Sequence, residues 1–171
     1  MKKLFNLALE TNIGKTLNIT TPKQLYDWME KNLHYHGASK KYLYSPEEIL
    51  NLKRAHCWEA CSLEYKYLKE LGLKPTIVYL ENENCIVTHT AVYYTVMKTD
   101  QYFWFEWAWG VNRGIHSYTD RIKLLSDIHD KFIKSNKTLT VFKEGHTIIK
   151  HNTLQIDYHN TMINNWKNVI I

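Results

Sequence analysis

"HCWEACSLEYKYLKELG", residues 56–72, is the stretch whose reading decides the fold. Cys57, Cys61, Tyr65 and Leu68 recur at helical spacing, and Gly72 closes the run. The segment is therefore an amphipathic helix that opens on a cysteine. A thiol in that place has two readings. It is the first core residue of the helix, since free cysteine is among the most buried residue types. Or it is a nucleophile, since the unpaired N–H groups and the dipole at a helix start stabilise a thiolate. The same N–H groups can stabilise an oxyanion on a substrate carbonyl.

The flanking sequence supplies the frame. Thr21-Pro22-Lys23-Gln24 and Ser45-Pro46-Glu47-Glu48 each carry a capping residue, a proline at the first helical position and Gln or Glu at the third. They open a helix carrying Leu25, Trp28, Met29 and Leu33, and a short helix ending near Leu52. Downstream the period changes. Residues 75–81, 85–97 and 102–109 are rich in β-branched and aromatic residues and read as three antiparallel strands. A helix over about 119–134 follows, with Ile122, Leu125, Ile128 and Phe132 on one face. A strand at 139–144 ends in a Glu144-Gly145 turn, and a terminal helix falls near 161–170. This order predicts an α+β fold in one domain, residues 1–171, with its core over about 20–145.

Thiol chemistry needs a base beside the sulfur and a group that orients the base. His89, in "VTHTAVYY", is the base candidate. Glu106, in "WFEWAW", is the orienting candidate, a lone carboxylate in an aromatic strand where burial is costly without a partner. If Met97 faces Asp100 across the hairpin, Glu106 falls opposite Ala91 and on the same face as His89. An odd loop length would separate the two.

A cysteine opening a helix, a histidine on a following strand and an acid on the next resembles the transglutaminase-like superfamily, which has a papain-like fold. The similarity rests on "SPEEILNLKRAHCWEACSLEYKYLKELGLKPTIVYL", "THTAVYY" and "QYFWFEWAWG", and it covers roughly residues 20 to 130. The resemblance implies Cys57 as nucleophile, His89 as general base and acid, and Glu106 as orienter of the imidazole. It implies a cysteine-dependent hydrolase (protease, peptidase or deamidase) or a transamidating enzyme acting on a peptide or protein. It calls for no cofactor and no metal. The chain departs from the family in having Glu where Asp is usual, and Ala55-His56 where a small residue or glycine precedes the cysteine. Tyr35 is the candidate for an oxyanion partner, and Trp58 and Trp104 for the walls of an aromatic cleft. The alternative is a catalytically inactive binding module that keeps the fold and the aromatic groove.

Other readings carry less. Three cysteines cannot all pair within the chain and suit a reducing compartment. The start "MKKLFNLALE" is too short and interrupted for a signal peptide, and no apolar run is long enough to span a membrane. A cytoplasmic protein is expected. The net charge of +5 is spread without a dense basic patch, against nucleic-acid binding. A zinc site from Cys57, Cys61, Cys85 and His89 fails on reach, since Cys85 and His89 would stand roughly 13 Å apart along one strand. Taken singly, His89 and Glu106 also fit a core histidine and a structural ion pair with Arg113, and His56 points away from Cys57 as a surface residue.

Overall fold

The computed structural model describes residues 12–37, 41–83, 87–96, 99–150 and 152–171. Cys85, the hairpin residues Met97 and Lys98, and the stretch read against a signal peptide lie outside them.

Helices begin where the caps are. Thr21 Oγ1 accepts the Gln24 N–H at 3.2 Å, and Gln24 Oε1 accepts the Thr21 N–H at 3.1 Å, opening α2 (Pro22–Asn32). Ser45 and Glu48 exchange the same pair of bonds at the start of α3 (Pro46–Leu52). Such reciprocal bonds satisfy donors that a helix start leaves orphaned. A short helix, α1 (Ile13–Leu17), precedes them. The cysteine helix, α4 (Cys57–Glu70), ends at Leu71, and Gly72 takes a φ of 75° that a side chain would strain.

A two-residue parallel pair, β1 (His34–Tyr35) with β2 (Arg54–Ala55), holds the approach to α4. The main sheet has six strands: β3 (Lys74–Glu81), β4 (Thr88–Thr95), β5 (Tyr102–Glu106), β6 (Gly114–Tyr118), β7 (Val141–Gly145) and β8 (Lys167–Asn168). Their order is β6-β5-β4-β3-β7-β8, with every neighbouring pair antiparallel. The fold is α+β. Residues Ile77, Tyr79, Val92, Tyr94 and Phe105 pack on one side with α1 to α4 and with α6 (Gln155–Asn165). Val78, Leu80, Ala91, Tyr93 and Trp104 pack on the other against α5 (Arg121–Asn136). Apolar residues at nearly every position of the central strands follow from cover on both faces. Among the described residues, no helix is long and apolar enough to cross a membrane.

Four expectations change. In α5, Ile122 is exposed and Leu124 takes the inward place. Glu144 and Gly145 extend β7 instead of turning, because they pair with Val78 and Ile77. The edge strand β6 was not anticipated, since "GIHSY" carries little apolar alternation. The C-terminal helix starts at Gln155, and the residues after Trp166 form β8 beside β7. That turns the C-terminal segment into part of the sheet edge: Trp166 lies across Gly145, and its Nε1–H donates to Thr147 Oγ1 at 3.3 Å.

A methyl group at Gly145 would overlap the Trp166 indole far inside van der Waals contact. Gly145→Ala is expected to destabilise the protein by about 1–3 kcal/mol and to lower Tm by several degrees. Gly37→Ala, where an added methyl meets no atom within 4 Å, serves as the control in the same thermal melts.

Candidate active site

Strands β4 and β5 pair from Val92–Phe105 to Thr95–Tyr102, a register that, carried on beyond Val92, faces Ala91 with Glu106. The ladder stops one step short of Ala91 and Glu106. In the opening beyond it, His89 Nε2 donates to Glu106 Oε2 at 2.9 Å. The other Glu106 oxygen accepts the Trp109 N–H at 2.7 Å, from the turn that follows β5. The Trp109 ring packs beside the imidazole, with centroids 4.9 Å apart. Arg113 instead pairs with Glu30 at 3.3 Å, which leaves Glu106 to the histidine.

With Nε2 committed, Nδ1 is the nitrogen left for Cys57, and His89 and Cys57 hydrogen-bond. Burial alone pushes the Cys57 thiol up. Hydrogen bonds from His56 and His89, and the charges of both rings, outweigh it and bring the thiol down to about 6. Burial would also strip the proton from His89. The Glu106 charge first, then the bonds to Cys57 and Glu106, reverse this and raise the imidazole to about 10. Between those two values the stable form is a thiolate beside an imidazolium.

His56 is the main correction within the site. It is buried rather than on the surface, and it is the N-cap of α4. Its Nδ1 accepts the Trp58 N–H at 3.1 Å, and its ring also reaches Cys57. Glu59 holds it there, because Glu59 Oε2 accepts the His56 N–H at 3.1 Å. Glu59 in turn ties down the Tyr44 N–H at 2.6 Å and His36 Nε2 at 2.9 Å. The signal was present in the sequence: a cap residue followed at the third helical position by Glu is a capping box, here with His in place of Ser or Thr.

The remaining candidates divide. Tyr35 stands half exposed on β1, with its ring 6.4 Å from that of Trp107. Partial burial first, then negative charge at Cys57 and Glu106, raise its hydroxyl to about 12. Trp58 is buried and stacks on His159 at 6.3 Å, at the edge of a cavity lined also by Leu154 and Ile156. Trp104 is fully buried under α5, edge-on to Trp109 and below the Lys131 ammonium, so it lines no cleft. Its place follows from the sheet: it sits on the face that α5 covers. Cys61 is buried one turn beyond Cys57, and burial, the largest cause, holds it as a neutral thiol. Among the described residues, no group of three or more His, Cys, Asp or Glu is arranged to hold a metal ion.

Compared with known proteins, the sequence matches no protein-family model, and no curated protein matches it.

The two shifts fix a pH profile for alkylation. A folded-state value lowered to about 6 means that Cys57 gains its charge as pH rises through 6, below the roughly 8.5 of a free thiol. Site-resolved alkylation of native protein is expected to rise near pH 6 at Cys57, with Cys61 left unmodified. In His89→Ala and in His56→Ala the midpoint moves upward, because burial persists while a compensating partner is lost. A Cys57 midpoint above 8 in all three proteins would contradict the assignment.

Proposed function

We propose that the protein is a cysteine-dependent acyl-transfer enzyme of transglutaminase-like type on a papain-like fold. The observation that carries this reading is the buried line Cys57–His89–Glu106, in which the sulfur is held as a thiolate and the imidazole as its acid partner. The Cys57 sulfur adds to the carbonyl carbon of an amide, and the C=O π electrons move onto oxygen. As the oxyanion collapses, the C–N bond breaks and His89 gives its proton to the leaving nitrogen. The product is a Cys57 thioester with a neutral His89. A water or amine then attacks the thioester while His89 takes its proton, and the sulfur leaves as thiolate. Water as acceptor makes the enzyme a protease, peptidase or deamidase; an amine makes it a transamidase.

Charge on the oxyanion needs donors. The Trp58 N–H is occupied by His56. The Cys57 N–H and the Tyr35 hydroxyl are the donors assigned to this role. Glu106 is the last residue of β5, one step beyond the pairing with β4, and its longer arm reaches His89 Nε2 at 2.9 Å.

The test is formation of an acyl-enzyme. With p-nitrophenyl acetate as acyl donor, intact-mass and peptide analysis are expected to find an acetyl group on Cys57 that hydroxylamine removes. His89→Ala should lower the acylation rate at neutral pH, because the Cys57 thiol loses the hydrogen bond and charge that hold it ionised while burial persists. Glu106→Gln should lower it in the same direction and shift its pH midpoint upward. Acylation that is absent from Cys57, or indifferent to His89, would reduce the site to a structural cluster and favour the inactive binding module.

A further inference from the structure

The cap of α4 fixes one proton donor beside the sulfur. His56 accepts the Trp58 N–H at Nδ1, 3.1 Å away. A ring nitrogen that accepts carries no proton, so the neutral imidazole holds its proton on Nε2. Glu59 does not take the bond from that proton. Its Oε2 accepts the His56 N–H at 3.1 Å and the His36 Nε2–H at 2.9 Å. His56 Nε2 stands 3.9 Å from the same oxygen, beyond hydrogen-bond reach. The partner left for Nε2–H is the Cys57 sulfur, to which His56 hydrogen-bonds. The ring is 2% exposed and lies edge-on between those of His36 and Trp58, with centroids 5.4 and 6.0 Å away. It is a donor already oriented before any substrate arrives.

The thiolate thus has two imidazole partners of different kinds. His89 is tied to Glu106 and carries the proton that the reaction moves. His56 is tied to the helix backbone, and its proton stays where the cap puts it. When the sulfur adds to a carbonyl carbon, the negative charge passes to the carbonyl oxygen, bonded to that same carbon. A donor that held the charge on sulfur then stands beside the atom that receives it. Fixed donors aimed at developing charge are the main source of transition-state stabilisation in acyl transfer.

We propose that His56 is a catalytic residue of the acyl transfer, and that its Nε2–H shifts its hydrogen bond from the Cys57 sulfur to the carbonyl oxygen as the tetrahedral intermediate forms. This rests on the acyl-transfer reading given above, and adds a third donor to the Cys57 N–H and the Tyr35 hydroxyl. The C–S bond forms, the C=O π pair moves onto oxygen, and no proton leaves His56. On collapse the pair returns to carbon, the leaving group departs, and Nε2–H is free for the sulfur again when the thioester is cleaved. The histidine that stands where a small residue or glycine was expected before the cysteine thereby gains a function.

An alkylation and an acylation at the same sulfur separate a donor to oxygen from a donor to sulfur. Iodoacetamide reacts at a saturated carbon and develops no oxyanion, whereas p-nitrophenyl acetate does. The ratio of acylation to alkylation rate at Cys57, measured at one pH, cancels the thiolate fraction. Loss of one oxyanion donor costs roughly 10²–10³ in rate, so His56→Ser is expected to lower the ratio at least about tenfold. Serine caps through an oxygen near the place of Nδ1 and sets no donor where Nε2 stands. His56→Asn does the same with a larger side chain, and gives the answer if the serine variant does not fold. In His89→Ala both rates should fall together and the ratio hold, because p-nitrophenolate departs without a proton. A ratio unchanged in the His56 variants would confine His56 to the sulfur and overturn the proposal, with acyl transfer left standing. A ratio that falls equally in His89→Ala would trace the loss to the sulfur and overturn it as well. Fast alkylation of Cys57 with no acetyl group on Cys57 in the wild type would overturn the acyl-transfer reading, and this role with it.

Discussion

Three ionisable side chains are buried against one another where α4 begins: Cys57, His89 and Glu106 are 7%, 9% and 2% exposed. Taking a charge out of water costs several kcal/mol, and the cost is met only when every charged atom finds a partner. Here each partner demands a particular piece of backbone. Glu106 needs β5 to end where it does, so that one oxygen reaches His89 and the other the Trp109 N–H. His89 needs β4 to continue past the last ladder pair. Cys57 needs to be the first residue of its helix. A shift of one residue in the β4–β5 register would turn His89 and Glu106 to opposite faces and leave both charges unpaired. The register of the hairpin and the start of the helix are thus parts of one constraint.

The cap of α4 is fitted to the same charge. An N-cap is usually Ser, Thr, Asp or Asn, whose oxygen accepts an N–H of the first turn. An aspartate in that place would set a second negative charge beside the thiolate. His56 caps with Nδ1 and so keeps its proton on Nε2 when neutral, which makes the capping residue a donor as well. Glu59 completes the capping box and extends it outward to His36 and to the Tyr44 N–H. Two segments that precede the cysteine, the end of β1 and the residues leading into α3, are drawn in through one carboxylate. The short parallel pair β1–β2 has few bonds of its own, and this tie gives it a reason to persist.

The helices were legible because their signals are local. Thr21-Pro22-Gln24 and Ser45-Pro46-Glu48 state where a helix begins, and each forms the bonds its residues imply. The central strands were legible because strands covered on both faces need apolar residues throughout. His89 and Glu106 stood out as polar exceptions within those runs, and the structure brings them together with Cys57. What escaped depends on distant partners. "GIHSY" becomes an edge strand only because β5 offers a free side, and Lys167–Asn168 only because β7 does. Trp104 reads like a cleft residue by its neighbourhood in the sequence, and only the placement of α5 shows that it is core. His56 was read from the turn of a helix, about 100° away from Cys57, but as a cap it lies outside the helix and its ring is free to swing to the sulfur.

Glu64 completes the electrostatics. It sits on α4 beyond Cys61, it is 1% exposed, and its Oε2 has no partner among the described residues. A second buried carboxylate so near Glu106 would ruin the site if it were charged, since two like charges in one apolar region cannot both be supported. Burial first and the Glu106 charge second hold Glu64 well above the ordinary carboxylate range, and negative charge at Cys57 pushes it in the same direction. The coupling is reciprocal. A proton kept on Glu64 favours the thiolate, and the thiolate favours that proton. Of the two acids near the imidazole, Glu106 has His89 and the Trp109 N–H to hold its charge, while Glu64 Oε2 has none. The division of labour between them, one charged and one neutral, follows from those partners and not from any difference between the residues themselves.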